Sequence, residues 1–326
     1  FSQHWPNIAR DLAASRSRHI EAVKPFAWTH VSARYEAVYN HAIGRRVRTI
    51  LGVPILATTE RGAIEVLDRA ALQSPPKMVA FANANALNCV AVHPNLRDAF
   101  RKGIIFNDGI EADLASSLLY GSRFPENLSE TDFTPAYLTK TKHRFQVFVL
   151  GGRPGTAERA IPVLRSLAPQ HAYVGAHHGF FEPDRNSAVI AAIRASGANL
   201  LLVAMGNPKQ EMWLSENLAL TGCRMGLAVG ALLDFLIGDF HRAPQWVRSL
   251  RLEWLYRMAQ EPKRLLWRYC AGNPAFLARV SRQYWSGVRV CGPALADELG
   301  RPLQIAKERP VNRTEPLGAE AFEAKL

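Results

Sequence analysis

The stretch FQVFVLGGRPGTAERAIPVLRSL, residues 145–167, joins a strand pattern to a helix pattern through a glycine-rich turn. Residues 145–150 form a short apolar run, which is typical of a strand buried on both faces. The turn GGRPG, residues 151–155, follows at once, and residues 156–167 then carry a helical pattern. We therefore predict a strand that ends in a loop and continues as a helix.

Strand and helix patterns alternate along most of the chain. Further strand patterns occupy residues 50–56, 78–81, 104–106, 171–174, 200–205 and 225–229, and helix patterns occupy residues 62–71, 94–101, 185–196 and 210–220. Apolar strands that alternate with helices are typical of a parallel sheet covered on both faces. The sequence therefore predicts an α/β fold with a Rossmann-like, largely parallel sheet flanked by helices.

Charge is unevenly distributed over the 326 residues, whose formal net charge is +12. Lys and Arg outnumber Asp and Glu by 8 to 3 in residues 1–48 and by 10 to 3 in residues 238–292. Residues 49–237 are nearly balanced, at 17 to 16. A basic flank attracts nucleic acid, anionic lipid headgroups or phosphorylated substrates, and charge alone does not choose among these partners.

These differences divide the chain into four parts. We predict an accessory N-terminal segment over residues 1–48, the main α/β domain over residues 49–237 and a flexible tail over residues 293–326. Residues 238–292 hold four of the seven tryptophans, interleaved with arginines. This composition favours a basic, aromatic, helical C-terminal appendage with an apolar and a cationic face.

Cysteine spacing and hydropathy limit the class of protein further. The four cysteines show no CxxC spacing, so no zinc site is predicted and a reduced compartment fits. No stretch reaches the roughly 18 to 20 uninterrupted apolar residues that span a bilayer, and no secretory signal pattern opens the sequence. We expect a protein that is neither secreted nor threaded through a membrane.

Two glycine-containing loops follow predicted strands and precede predicted helices. Backbone amides at such helix starts can hold a diphosphate, and glycine lets the backbone approach it closely. The loop over residues 151–155 is either a phosphate loop or a structural turn. The loop over residues 206–211 adds Lys209 as a cation and Gln210 as an amide, which favours a ligand site over a plain turn.

Polar residues also follow two other predicted strands. Asp108, in the sequence NDG, comes directly after residues 104–106 and is the best-placed candidate for a general base. The alternative is that NDG is a common turn. The amides of Asn83, Asn85 and Asn88 follow residues 78–81 and can either read ligand hydroxyls or a nucleobase edge, or cap a helix.

Two further motifs do not predict a metal site. His177 and His178 are adjacent, and neighbouring side chains in a strand point to opposite faces. The triplet EAD, residues 111–113, resembles an acidic metal-binding motif of sugar-nucleotide enzymes, but we predict that it lies on a helix. We therefore expect neither a metal nor another cofactor.

A series of motifs, taken in chain order, resembles the WecG/TagA/CpsF family of glycosyltransferases, also called glycosyltransferase family 26. The motifs are ILGVP (50–54), FAN (81–83), NDG (107–109), GGRPG (151–155), MGNPKQE (205–211), VGALLDF (229–235), RAP (242–244), LEWLYR (252–257) and EPKR (261–264). Each motif alone is weak, whereas the ordered set is specific. The resemblance covers about residues 49–270.

The resemblance implies the fold type called GT-E and an inverting transfer from a UDP-sugar donor without a required metal. Enzymes of this family build bacterial surface polysaccharides on acceptors carried by polyprenyl diphosphate. The resemblance therefore implies a lipid-linked saccharide acceptor and no nucleic-acid partner. It also implies a cytoplasmic protein that is peripherally associated with the inner face of the cell membrane.

The resemblance also implies roles for particular residues. It makes Asp108 the catalytic aspartate and Gln210 a donor-binding glutamine. The predicted donor-binding or nucleotide-binding set is completed by Asn83, Asn85, Gly151, Gly152, Gly206, Lys209 and Asp234. The family's basic appendage, which is thought to close over the active site and touch the membrane, maps onto Arg257, Arg264 and Arg268 as ligands of the acceptor, the diphosphate or the membrane.

Two positions depart from the family's pattern. Phe81 stands where many members have threonine, and Asn107 replaces the usual proline before Asp-Gly. Members that make xanthan-like polymers transfer glucose. We therefore favour a glucose-type donor, with an N-acetylmannosamine-type donor as the alternative.

Two other classes of protein compete with the transferase interpretation. A Rossmann oxidoreductase requires GxGxxG near the first strand and an acidic residue about 20 positions later, and the sequence has neither. A basic α/β protein that binds nucleic acid or anionic lipid, without transferase activity, accounts for the charge and the aromatic residues. It is the alternative hypothesis.

Overall fold

The computed structural model describes residues 47–238, residue 256 and residues 262–286, with side chains from residue 270 onward in the last range. Most of the predicted N-terminal segment, most of residues 238–292 and the predicted tail over residues 293–326 lie outside this described part. The predicted domain boundaries therefore stay predictions.

Six short strands form one sheet in which every pairing is parallel. In spatial order they are β4 (Ile104–Asn107), β3 (Lys77–Ala82), β8 (Met225–Ala228), β7 (Leu200–Ala204), β5 (Gln146–Gly151) and β6 (Ala172–His177). Central strands of such a sheet are covered on both faces, and all five residues of β7 are buried. The prediction of a Rossmann-like, largely parallel sheet is confirmed.

Helices cover both faces of the sheet and form two apolar clusters with it. One cluster contains side chains of α1 (Glu60–Ala70), α5 (Glu130–Lys140), α6 (Thr156–Leu167) and α9 (Leu232–Leu236). The other contains side chains of α2 (Ala84–Val92), α3 (Pro94–Lys102), α4 (Gly109–Tyr120), α7 (Asn186–Ala195), α8 (Lys209–Thr221) and α10 (Pro262–Ser286). The expected C-terminal helix is therefore present as α10, and residues 111–113 do lie on a helix.

Each strand serves both clusters because its side chains alternate between the two faces of the sheet. In β7, Leu200 and Leu202 belong to the first cluster, whereas Leu201 and Val203 belong to the second. Gly226 on β8 lets α8 approach closely, since a Cβ there would lie 2.4 Å from Leu214 Cδ2. The central strands are thus packed between two helical layers, whereas the edge strand β6 is half-buried over residues 174–177.

The first predicted core strand, residues 50–56, is wrong. This run folds as an antiparallel hairpin of β1 (Val47–Ile50) and β2 (Val53–Leu56), separate from the main sheet. The two residues between the strands, Leu51 and Gly52, have φ of 50° and 80°. A two-residue loop with positive φ at both positions is the tight turn that joins antiparallel strands, so the apolar run reverses direction at its middle.

A buried histidine, His171, connects the segments just before β5 and β6 to helix α5. The Nδ1 atom of His171 accepts a hydrogen bond from the Phe145 amide at 3.2 Å, and its Nε2 atom donates to the Leu138 carbonyl at 2.8 Å. The ring is 5% exposed, and this burial lowers the pKa of His171 below its ordinary value of 6.5, against the opposing effect of the Leu138 contact. Burial therefore favours the neutral form of this side chain in the folded protein.

We predict that acid destabilises the fold through His171. Because its pKa is lowered on folding, the unfolded chain binds a proton that the folded chain resists, so stability falls as pH drops below 6.5. The urea midpoint should be lower at pH 5 than at pH 7.5, and His171→Gln should show a smaller decrease between these two values. Equal decreases in both proteins would assign the acid sensitivity to other groups.

Candidate active site

The carboxyl ends of the six parallel strands meet at one edge of the sheet, where ligands collect in open α/β folds. The predicted site residues divide among the segments that follow five of these strands. Asn83 and Asn85 follow β3, Asp108 follows β4, Gly152 follows β5, Gly206, Lys209 and Gln210 follow β7, and Asp234 follows β8. The fold therefore brings this set to the same edge from positions far apart in sequence.

Asp108 stands between β4 and α4, and its side chain does not cap the helix. It occupies the N-cap position with φ of −135°, yet its carboxyl makes no capping hydrogen bond. Instead, Oδ2 accepts a hydrogen bond from Asn83 Nδ2 at 3.2 Å. Asn83 also caps α2, because its Oδ1 accepts from the Ala86 amide at 3.0 Å. The two interpretations of Asn83, helix cap and site residue, are thus compatible.

The segment over residues 121–129 supports the backbone around Asp108. Asn107 is fully buried, and its Nδ2 donates to the Glu126 carbonyl at 2.9 Å. The amide of Gly109 donates to Asn127 Oδ1 at 2.9 Å. An asparagine at position 107 therefore ties this segment to the sheet through its side chain. Sequence reasoning missed Asn127, since nothing near it in the chain marks it.

A pair of asparagines connects the segments after β3 and β7. Asn85 Nδ2 donates to Asn207 Oδ1 at 2.8 Å, across the position of β8, which lies between the two strands. The Nδ2 atom of Asn207 is buried and has no hydrogen-bond partner within the described part of the chain. Asn207 belongs to the predicted loop over residues 206–211 but was not singled out from the sequence.

Gln210 is buried and holds two loops together. It is 1% exposed, and its Oε1 atom accepts hydrogen bonds from the amides of Gly206 at 3.2 Å and Gly230 at 3.1 Å. Its Nε2 atom donates to Glu211 Oε1 at 2.9 Å. The side chain thus fixes the loop after β7 against the loop after β8. The Gly206 amide, one of the predicted phosphate ligands, is directed to Gln210 in this conformation.

Glu130 at the start of α5 lies against Gly230, a contact that sequence reasoning missed. A Cβ at Gly230 would sit 2.0 Å from Glu130 Oε1, so a side chain at position 230 would require the carboxyl group to move. Asp234 follows four residues later, in the first turn of α9, and is half-buried. The loop after β8 is therefore constrained from two sides, by Gln210 and by Glu130.

The glycines after β5 permit close contact with β7. The Gly152 amide donates to the Ala204 carbonyl at 2.9 Å, and the Gly152 carbonyl accepts from the Gly179 amide at 2.9 Å. A Cβ at Gly151 would lie 2.3 Å from the Ala204 oxygen. These contacts support the structural interpretation of the glycines. The loop nevertheless leads directly into α6, where the Thr156 amide donates to the Arg153 carbonyl at 3.0 Å and the next two amides precede the first intrahelical hydrogen bond.

Lys209 and the segment after β6 form a basic and aromatic cluster. The Lys209 Nζ atom donates to the Gly179 carbonyl at 3.2 Å and lies 5.8 Å from the centre of the Phe181 ring. The expectation that His177 and His178 point to opposite sides is wrong, because their ring centres are 4.5 Å apart. Strand β6 ends at His177, and alternation ends with it.

Helix α10 docks on α2, α4 and the hairpin through polar side chains on either side of buried apolar ones. Phe276 and Val280 are fully buried. The polar contacts run from Asn88 Nδ2 to the Gly272 carbonyl (2.8 Å), from Arg279 Nη1 to Asn88 Oδ1 (2.5 Å), from Asn273 Nδ2 to Glu111 Oε1 (3.1 Å), from the Leu51 amide to Gln283 Oε1 (2.8 Å) and from Gln283 Nε2 to the Thr49 carbonyl (2.9 Å). Asn88 thus anchors a helix instead of facing the site.

The three arginines assigned to the acceptor, the diphosphate or the membrane stay predictions. Arg257 lies outside the described residues, and Arg264 and Arg268 belong to α10 but precede the part whose side chains are described. Within the described residues, no group of three His, Cys, Asp or Glu side chains could hold a metal ion. No described helix is both long and apolar enough to cross a membrane.

Comparison with known families identifies the class of protein that has this fold and site. The sequence model of the glycosyl transferase WecG/TagA/CpsF family matches residues 48–289. The chain belongs to the WecG/TagA/CpsF family of glycosyltransferases. The predicted resemblance is confirmed, and the match extends through α10. Membership supports glycosyl transfer in polysaccharide biosynthesis, with a sugar donor and an acceptor as partners.

Proposed function

We propose that this glycosyltransferase moves a hexose from a UDP-sugar to a saccharide linked to polyprenyl diphosphate, with inversion at the anomeric carbon. Family membership supports the transferase class. The observation that carries the mechanism is the position of Asp108, which stands after β4 at the carboxyl edge of the sheet. The reaction belongs to the assembly of a bacterial surface polysaccharide.

Asp108 acts as the general base in this proposal. It takes the proton from an acceptor hydroxyl while that oxygen attacks the anomeric carbon and UDP leaves from the opposite face. The hydrogen bond from Asn83 Nδ2 to Asp108 Oδ2 helps to orient the carboxyl group at this edge of the sheet. The amides of Asn83 and Asn85 are also within the region where the hydroxyls of the sugar would bind.

The donor reaches across the sheet from β4 toward β7 and β5. Three interstrand spacings separate β4 from β7, or about 14 Å. The UDP portion therefore binds near the loops after β7 and β5, with Asp234 on the side of β8. Because the Gly152, Gly206 and Thr156 amides already donate within the protein, negative charge on the leaving UDP is neutralised chiefly by Lys209, by the amides that follow Thr156 in the first turn of α6 and by the arginines of the appendage.

The lipid carrier of the acceptor determines where in the cell the enzyme works. A polyprenyl diphosphate is held in the membrane, so the enzyme works at the inner surface of the cell membrane as a peripheral protein. The basic residues of the appendage, among them Arg257, Arg264 and Arg268, then bind the diphosphate or anionic headgroups, each with about 1 kcal/mol. We favour a glucose-type donor over an N-acetylmannosamine-type one.

UDP release measures this function directly. Wild-type protein is incubated with a panel of UDP-sugars and a lipid extract from a polysaccharide-producing bacterium. We expect one donor, of the glucose type, to be consumed only when the extract is present. If no UDP-sugar is consumed and UDP does not bind, the proposal is wrong. Binding of DNA with a steep salt dependence, or of anionic vesicles alone, would then favour the alternative hypothesis.

A further inference from the structure

We infer that Asn273 is a positioning residue that couples the docking of α10 to the loop carrying Asp108, by way of Glu111. This inference rests on the proposed role of Asp108 as the general base. Asn273 lies near the middle of α10, in the part that packs on the α/β body. The coupling runs through one side-chain hydrogen bond and one close approach to the backbone.

The chain of contacts from α10 to the catalytic loop has two steps. Asn273 Nδ2 donates to Glu111 Oε1 at 3.1 Å. The other carboxyl oxygen, Glu111 Oε2, lies 2.8 Å from the position that a Cβ on Gly109 would occupy, so it lies close beside the residue directly after Asp108. A displacement of the Glu111 carboxyl therefore acts on the peptide unit that orients Asp108.

Glu111 has little freedom to move independently of Asn273. It is 8% exposed and sits in the first turn of α4, where its backbone is fixed by the helix. A buried carboxyl group is costly unless it is hydrogen-bonded, and the amide of Asn273 supplies a donor. Loss of that donor makes a rotation of Glu111 toward water favourable, which removes its contact with Gly109.

The apolar packing of α10 fixes the position of Asn273 relative to Glu111. Asn273, Phe276 and Val280 follow the spacing of one helix face, and the two apolar side chains are fully buried in the cluster that includes α2 and α4. Asn88 adds a second anchor through the Gly272 carbonyl. The helix is therefore seated without Asn273, and the Asn273 side chain is available for alignment of the catalytic loop.

Gln283 provides a matched control on the same helix. It makes two hydrogen bonds, to the Leu51 amide and the Thr49 carbonyl, at 2.8 and 2.9 Å. It lies ten residues beyond Asn273, or about 15 Å along the helix axis, and these two hydrogen bonds join it to the hairpin. Gln283→Ala weakens the docking of α10 without removing the contact with Glu111.

The kinetic test compares Asn273→Ala with Gln283→Ala. Because small misplacements of a catalytic group can cost about 10²-fold in rate, we expect Asn273→Ala to lower kcat by roughly 10- to 100-fold, with KM for the UDP-sugar little changed. Gln283→Ala should keep kcat within about threefold of wild type, even where it lowers the melting temperature more. Equal loss of kcat in the two variants would reduce Asn273 to a docking contact and overturn the inference.

A double-mutant cycle tests whether Asn273 acts through Glu111. Glu111→Ala should lower kcat as Asn273→Ala does, and the double variant should be no slower than the slower single variant, because both remove the same contact. If the reductions in kcat of the two single variants multiply in the double variant, the result contradicts coupling through Glu111.

A measurement without substrate separates this inference from the proposed function. Amide hydrogen exchange should become faster over residues 108–112 in Asn273→Ala and remain unchanged there in Gln283→Ala. Unchanged exchange in Asn273→Ala would overturn the coupling even if sugar transfer is normal. Conversely, if the wild-type protein consumes no UDP-sugar, the proposed function fails, while the exchange comparison still decides the coupling.

Discussion

Replacing Asp108 by asparagine is expected to lower kcat for sugar transfer by about 10²- to 10⁴-fold while UDP binding is retained, because a general base contributes on that order. Asparagine has nearly the same shape, and its oxygen can still accept the hydrogen bond that Asn83 Nδ2 makes with Asp108. The variant therefore removes the basic carboxylate and little else. The measurement is UDP release at saturating donor together with the dissociation constant of UDP.

Asp98→Asn is a suitable control, since it removes the same charge from an exposed position on α3. It should retain wild-type kcat. Full activity in Asp108→Asn would place the base elsewhere, and Asp234, on the same edge of the sheet, would be tested next. Loss of UDP binding in Asp108→Asn would instead indicate that the substitution disturbs the donor site.

Gly151→Ala is expected to destabilise the fold by about 3 kcal/mol, because overpacking and a disfavoured backbone conformation add together. The new Cβ would lie 2.3 Å from the Ala204 oxygen and 2.5 Å from its carbonyl carbon, and both are backbone atoms. No rotamer change relieves such a contact. Since Gly151 pairs with Ala204 at the end of β5 and β7, the two strands must separate at the point where the candidate site begins.

Gly155→Ala distinguishes overpacking from backbone strain in the same loop. Gly155 has φ of 85°, and no atom of the described residues lies within 4 Å of the position of its Cβ. Gly155→Ala should lower the free energy of unfolding in urea by about 1–2 kcal/mol, which is the cost of the disfavoured backbone conformation alone. If the two variants are equally stable, close contact with Ala204 does not limit position 151.

The agreement between sequence and structure is best where local signals reinforce one another. Helix α6 begins and ends at the predicted residues, Thr156 and Leu167, because the glycine-rich turn marks its start and the apolar spacing marks its extent. The hairpin of β1 and β2 was not predicted from the sequence, because its turn consists of Leu51 and Gly52. With no Asn, Asp or Pro at the reversal, residues 50–56 look like one continuous apolar strand.

The composition of the site was more predictable than its contacts. Parallel strands bring their carboxyl ends to one edge, so Asn83 and Asp108 could be expected near each other once β3 and β4 were recognised. Which atoms meet depends on strand order and register. The supporting residues Asn127, Asn207 and Glu130 carry no local pattern that distinguishes them from ordinary polar residues of turns and helix starts.

Helix α10 also has a consequence for the order in which a nascent chain can complete this enzyme. Gln283 reaches back over 232 and 234 residues to the hairpin, and Asn273 reaches back over 162 residues to Glu111. At a synthesis rate of about 5–20 residues per second, the hairpin leaves the ribosome roughly 10–50 seconds before Gln283 does. The sheet and its edge can assemble in that interval, whereas the contact between Asn273 and Glu111 cannot. A chain that is interrupted before residue 273 therefore lacks the contact proposed to align Asp108.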